Sequence, residues 1–357
     1  ADLGQQIELP FDMHIQGIHG TNWQYQAINT KGESEFEVKV SSADLLADAT
    51  GDNVQLQTLS VTSSLGEVQA KGQIQLQADF PLQLNINADL NALKQKETVL
   101  LPATKANLTL SGTLKKQTAL LLQTQGVIDA ELKAEAQLTA PKTPLNVKLA
   151  VARGQYPFDG NDPLSIKDVN LTINGDILTS QIQLNGAVSG MGIPANSLDL
   201  QAIGHLSNIE IHQLKLNALE GAAELKGDVN WRDGVEWNSH LQLAKMNLGR
   251  YLSAFPAVLS GELSSQGQVN QKGWQVAVPQ VDIQGSLAQH SLALQGGLTA
   301  GDQQGVTIPQ LVLAYGENKI HAQGSMGKQS DFTLNIHAPN LHGLWADLSA
   351  GVTGHIK

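Results

Sequence analysis

Residues 68–90 read VQAKGQIQLQADFPLQLNINADL. Every even position is apolar or glycine: Val68, Ala70, Gly72, Ile74, Leu76, Ala78, Phe80, Leu82, Leu84, Ile86, Ala88 and Leu90. The odd positions between them are Gln, Lys, Asp, Asn or Pro. Successive side chains of a strand point to opposite faces, so this stretch is strand with one apolar and one amide-rich face. Pro81 cannot donate to a central ladder, so the chain is expected to turn near 79–81 and return with the same face inward. Gln73, Gln75, Gln83 and Asn85 should then meet solvent, with Ile74, Leu76, Leu84 and Ile86 on the other face. A slip of one residue would exchange the two sets.

The alternation returns at 181–188 (QIQLNGAV), 223–231 (AELKGDVNW), 291–295, 320–326 and 332–338. Asn174-Gly175, Asp159-Gly160 and Asp233-Gly234 separate strand-like runs and tolerate the positive φ of tight hairpins, which makes the neighbours antiparallel. Helical material is short and falls at 42–48, 88–94, 247–255 and 340–348. A repeat underlies the pattern. Leu59-x-Val61, Leu214-x-Leu216 and Leu311-x-Leu313 are each followed by a strand ending in glycine (Gly72, Gly227, Gly324), then a third strand and a short helix-like piece. The unit is about 40 residues of meander plus a cap, clearest at 52–93, 208–252 and 307–345. No Pro/Gly/Ser linker marks a boundary, so residues 1–357 read as one continuous repeat array without separate domains.

Composition narrows the classes further. The 357 residues are 41% hydrophobic and 15% charged, which is unlike a disordered chain, and there is no Cys to staple a small secreted domain. No run of about 18 apolar residues occurs, so no spanning helix is expected and the stretch should be soluble. A net charge of −11 is the wrong sign for a nucleic-acid partner.

Catalytic signatures are missing. His14 and His19 stand five apart with no HExxH, and no GxSxG, P-loop or strand-linked GxGxxG is present. No carboxylate pair stands out as an acid–base couple. No catalytic residue, metal or cofactor is expected, and a polysaccharide-acting β-solenoid is the enzymatic alternative. Solvent-side histidines and carboxylates on a polar strand face are the plain reading of these groups.

A sheet with one apolar face must bury it. The residues alone leave two solutions open: a sandwich or closed solenoid, or one long curved sheet whose apolar side stays partly open for a ligand or partner. At 144–160 (PLNVKLAVARGQYPFDG), 219–231 (LEGAAELKGDVNW) and 273–279 (GWQVAVP), in their order and spacing, the chain resembles the TamB family. That family is grouped with AsmA-like, repeating-β-groove proteins. The resemblance implies an all-β fold: a long, curved antiparallel sheet forming an open U-shaped, taco-like groove with an aliphatic concave face and a few short helices at repeat ends.

It also implies a periplasmic segment of a Gram-negative bridge along which phospholipid acyl chains pass between inner and outer membrane. The full-length protein would be anchored in the inner membrane, with TamA as partner at the outer membrane. Both attachments are expected in regions absent from this stretch, which would correspond to an internal part of the family's first half. The alternative from another class is a scaffold or chaperone for outer-membrane β-barrel proteins acting with TamA, and a plain spacer is a third reading. The expected lining is Ile74, Leu76, Leu82, Leu84, Ile86, Ile182, Leu184, Leu225, Val229, Leu241, Leu243, Ile320, Leu334 and Ile336, for each of which ordinary core packing is the simpler role.

Overall fold

The computed structural model describes residues 9–28, 34–95, 98–158, 162–327, 330–339 and 352–356. Strands take up nearly all of them. The chain forms two compact units, Ala1–Ile193 and Pro194–Lys357.

The first unit runs β1 (Met13–Ile28), β2 (Ser34–Thr50), β3 (Asn53–Ser63), β4 (Gly66–Gln75), β5 (Pro81–Leu90), β6 (Leu93–Gln95), β7 (Thr98–Leu101), β8 (Thr104–Thr113), β9 (Thr118–Gln125), β10 (Asp129–Ala136), β11 (Pro144–Tyr156), β12 (Leu164–Asp176) and β13 (Thr179–Gly190). Each strand pairs antiparallel with the next, β5 pairs directly with β8, and β6–β7 form a small separate hairpin. Among the described residues β1 and β13 do not meet, so this sheet is open rather than barrelled.

The second unit runs β14 (Ile193–His205), β15 (Asn208–Ala218), β16 (Gly221–Asn230), β17 (Val235–Asn247), a 3-10 turn (Leu248–Arg250), β18 (Ala257–Asn270), β19 (Gly273–Leu287), β20 (His290–Gly301), β21 (Gly305–Tyr315), β22 (Asn318–Met326), β23 (Asp331–Ala338) and β24 (Val352–Ile356). It too is an open antiparallel meander. Its turns alternate between two lips. One lip carries 206–207, 231–234, 271–272 and 302–304, and the other carries 219–220, 248–256, 288–289 and 316–317.

The alternation of residues 68–90 becomes two strands around a turn at 76–80, with Phe80 buried in that turn beneath Lys115, whose Nζ lies 4.9 Å from the ring centroid. Gln73, Gln75 and Gln83 are exposed, while Asn85, Ile74, Leu84 and Ile86 are half-buried. Thr109 Oγ1 donates to Asn85 Oδ1 at 3.2 Å on the polar face.

Four local expectations are corrected. Residues 42–48 are not helical but lie inside β2, because Ala43, Leu45 and Ala47 pair on both sides, with β1 and with β3. Residues 88–94 hold the end of β5 and the start of β6, since Ala88 and Leu90 pair with Ala106 and Thr104. In both places two neighbouring strands claim the backbone groups, and tertiary pairing overrides helical propensity. Within 247–255 only Leu248–Arg250 forms a single 3-10 turn, and 340–348 lies outside the described residues. Asn174-Gly175 is not a hairpin tip but the end of β12. The turn falls at 177–178, where Asp176 Oδ1 accepts the Leu178 and Thr179 N–H groups at 2.8 and 2.9 Å. Asp233-Gly234 does lie in a turn, and Asp159-Gly160 falls outside the described residues.

The three motif copies share one local device. Just before each Leu-x-(Val/Leu), a pair of residues bulges opposite a single partner: Gln57-Thr58 against Lys71, His212-Gln213 against Lys226, and Pro309-Gln310 against Gln323. An extra residue bends the strand and sharpens its twist. Gly72, Gly227 and Gly324 do not end their strands, which run on to Gln75, Asn230 and Met326, but each pairs with the residue before the bulge. A Cβ on Gly72, Gly227 or Gly324 would stand 2.5, 2.1 or 2.1 Å from a carbonyl oxygen of the third strand (Gln83, Asn238, Asp331). The backbones can approach so closely only without a side chain. Gly227 also has φ +155°. Gly227→Ala should therefore lower stability by at least ~1 kcal/mol, read as a reduced urea midpoint. An unchanged midpoint would mean that the close approach is not needed.

Candidate functional site: a half-buried aliphatic face

Directly opposed residues of an antiparallel pair share a face, so the pairing register can be followed from strand to strand. In the first unit one such row is Leu45, Leu59, Ala70, Ile86, Leu108, Leu122, Leu132, Leu149, Leu171 and Leu184. In the second it is Leu200, Leu214, Leu225, Leu241, Leu263, Val281, Gly296, Leu311, Ala322 and Leu334. Ten strands at about 4.8 Å separation make each row about 43 Å of unbroken apolar contact.

Among the described residues no large side chain is fully buried, and the row positions other than Ala70, Val281 and Ala322 are half-buried. A face covered by a second layer would be dry. This one keeps part of its surface accessible.

The expected lining distributes along these rows. Ile74 opposes Leu82, Leu84 opposes Leu110, Ile86 opposes Leu108, Ile182 opposes Ile173, and Leu184 opposes Leu171. In the second unit Leu225 opposes Leu241, Leu243 opposes Ala223, Val229 opposes Trp237, Ile320 opposes Ile336, and Leu334 opposes Ala322. All of these expected residues are half-buried. Leu76 lies beyond the end of β4, in the turn, where its N–H donates to Asp52 O at 2.6 Å.

Sequence reasoning passed over Leu108, Leu122, Leu132, Leu149, Leu200, Leu214, Leu263 and Leu311. Some of these stood in the open, since KANLTL at 105–110 alternates plainly. Others follow a bulge, which shifts the apolar spacing from two to three, as from Leu56 to Leu59 and from Ile211 to Leu214. The spacing of three was the available signal.

On β17 an aromatic ring interrupts the aliphatic floor. Trp237 lies across Gly267, where a Cβ would meet ring atoms at 2.4 Å, and its Nε1–H donates to Ser265 Oγ at 3.1 Å. At the lip nearest the 248–256 turn the apolar face closes, with Met246, Ala257 and Tyr315 buried. That turn is tied down by Arg250 Nη2 to Glu220 Oε1 at 2.5 Å and by the Asn247 amide donating to Glu220 Oε2 at 2.8 Å.

The opposite face explains the abundance of Gln. Side-chain amides donate across strands to carboxylates: Gln24 to Glu37 (2.8 Å), Gln123 to Glu131 (2.8 Å), Gln213 to Glu224 (3.0 Å) and Gln295 to Asp282 (3.1 Å). An amide satisfies a carboxylate without adding charge and separates acids that would repel each other. His14 and His19 belong to this face, where each bonds an aspartate of β2, Asp48 and Asp44 respectively. Among the described residues no group of three His, Cys, Asp or Glu is placed to hold a metal ion, and no helix is long and apolar enough to cross a membrane.

An open sheet with one continuous, half-buried aliphatic face defines a β-groove protein. The family model described as TamB, N-terminal domain, matches residues 2–357, and the chain belongs to the TamB family. It is 44% identical over 353 residues to the Translocation and assembly module subunit TamB of Haemophilus influenzae, covering 98% of this chain and 27% of that protein. It is also similar to uncharacterised proteins of Buchnera aphidicola from Schizaphis graminum (20% identity, 81% of this chain, 28% of the relative) and from Acyrthosiphon pisum (18%, 86% and 30%). The chain thus spans between a quarter and a third of the length of these relatives. No solved structure matches it.

Four carboxyls titrate below their ordinary range. Glu220 is held down by Arg250 and then Asn247, Glu224 by Gln213 and then Lys226, Glu131 by Lys133 and then Gln123, and Asp129 by the Gly126 N–H and then Arg153. A folded-state pKa below the unfolded one contributes stability that is present above the unfolded value and lost as pH falls through the folded value. Urea unfolding should therefore show stability level above about pH 5 and falling below about pH 4, the ordinary carboxyl range. Glu220→Gln should flatten part of that acid limb, and an acid limb unchanged by it would detach Glu220 from the effect.

Proposed function

We propose that the chain is a segment of a periplasmic hydrophobic conduit carrying phospholipid acyl chains between the inner and outer membranes, within a TamB-like bridge of the translocation and assembly module. It acts as a structural and transport component rather than an enzyme. The observation that carries the reading is the apolar row, half-buried at most of its positions, that runs from β2 to β13, passing directly from β5 to β8, and from β14 to β23. Burial of a methylene contributes about 0.8 kcal/mol, so baring an acyl chain of about 16 carbons to water costs on the order of 12 kcal/mol. A continuous lining keeps the tail covered at every step and leaves only small barriers between equivalent positions. A lining of Leu, Ile, Val and Ala offers no buried donor or acceptor to tell one headgroup class from another, so selectivity among phospholipids should be weak.

Native mass spectrometry of the purified chain should detect co-purifying phospholipid. Retained peptide binding without lipid would favour the protein-assembly role beside TamA. In the full-length protein, Leu84→Asp and Leu334→Arg place an ion on the floor where a tail must pass, which is costly to desolvate. Lipid delivery to the outer membrane should fail at near-normal protein abundance, while Gln83→Arg on the opposite face should be tolerated. Normal delivery by both stably folded lining variants would overturn the conduit.

A further inference from the structure

The apolar face of the second unit is closed at one lip and open at the other. Beside the 248–256 turn three strand residues of that face are buried, Met246 at 8% exposed, Ala257 at 0% and Tyr315 at 7%, while the covering turn itself shows Tyr251, Leu252 and Phe255 to the outside at 52%, 50% and 38%. At the other lip the directly paired Val235, Val269 and Trp274 are 45%, 48% and 44% exposed, and Trp231 in the adjoining turn is 47% exposed. Trp274 stands on the apolar side, since it opposes Val269, and Trp231 follows directly on the end of β16, where its N–H donates to Ser207 O at 2.8 Å.

The turn tips differ in charge as well. The two tryptophans flank Arg232 and Lys272, each set by the same Asx turn, in which its N–H bonds the Oδ1 of an asparagine two residues earlier (Asn230 at 2.9 Å, Asn270 at 2.8 Å). Neither cation has an ion pair among the described residues. Of the two acids at these tips, Asp302 is turned onto the Trp274 N–H at 3.0 Å, and Asp233 follows Arg232 in the same turn. At the closed lip, Arg250 is held by Glu220, and the remaining charged tip residue is Glu317.

Resting on the conduit reading, we propose that a phospholipid lies in this unit in one orientation, with its phosphate at the open lip between Trp231, Arg232, Lys272 and Trp274 and its tails directed toward the closed lip under the 248–256 turn. An indole ring favours the boundary between hydrocarbon and water, because its body is apolar and its N–H is a donor. Two cations beside it complement a phosphate diester. The group recognised is the phosphate that all phospholipids share, so the station orients lipids without selecting among them. A closed far lip gives the tails a covered end, whereas a headgroup placed there would meet Glu317 and a bound Arg250.

The native tryptophans report on this directly. Chains retaining only Trp231, only Trp274 or only Trp237, the other tryptophans replaced by Phe, are loaded with phosphatidylglycerol or phosphatidylethanolamine brominated either near the carbonyl or near the methyl end. Bromine near the carbonyl should quench Trp231 and Trp274 the more strongly. Trp237, further onto the floor, should shift toward the methyl-end probe. Arg232→Glu with Lys272→Glu should weaken lipid binding about threefold to tenfold, in the range of exposed charge contacts, while Lys319→Glu on the polar face should not. Quenching in the reverse order, or binding insensitive to the double charge reversal in a chain with unchanged circular dichroism, overturns the orientation and leaves the conduit standing. Absence of lipid binding in the unmutated chain overturns both.

Discussion

Everything in this molecule depends on keeping one face of each unit's sheet apolar from strand to strand. Side chains alternate with period two, so a strand out of step by one residue would turn its leucines into water and its glutamines onto the floor. The register holds Leu200, Leu214, Leu225, Leu241 and Leu263 opposite one another across five strands. Where a strand must bend, two residues replace one and the apolar spacing lengthens to three, so the bulge and the compensating shift in sequence arrive together. Glycines sit beside these bulges because the neighbouring carbonyl comes within 2.5 Å of where a Cβ would be.

The same constraint explains the side-chain chemistry of both faces. A floor that stays half-buried cannot draw on the dry packing of a two-layer core, and aliphatic side chains on neighbouring strands cover one another instead. The outer face needs polarity without an accumulation of like charge. Cross-strand Gln to carboxylate bonds supply it, and the lowered titration of Glu131 and Glu224 follows from those bonds together with Lys133 and Lys226.

A lined groove also needs ends, and the two lips of the second unit end differently. The 248–256 turn, pinned through Arg250, Glu220 and Asn247, closes one side over Ala257. Short turns built on Asn230 and Asn270 leave the other side open and present tryptophan beside cations that have no ion pair among the described residues.

Sequence by itself determined most of the strands, the two faces and the antiparallel order, because period-two alternation is a local signal that survives between the bulges, whereas of the Asn-Gly and Asp-Gly pairs Asp233-Gly234 lies in a turn and Asn174-Gly175 ends β12. It also carried the family, through 144–160, 219–231 and 273–279. It misread 42–48 and 88–94 as helix, because Ala, Leu and Asp favour helix locally and only the strands on either side reveal that their backbone groups are already claimed. It did not show that Leu76 lies past the end of β4, because parity alone does not say where a strand ends. Tertiary structure decided that each sheet stays open, that Trp237 lies over Gly267, and that one lip is closed while the other is exposed. Those outcomes depend on which residues far apart in the chain come into register, and on how bulges bend the sheet, and neither quantity is written in any local stretch of residues.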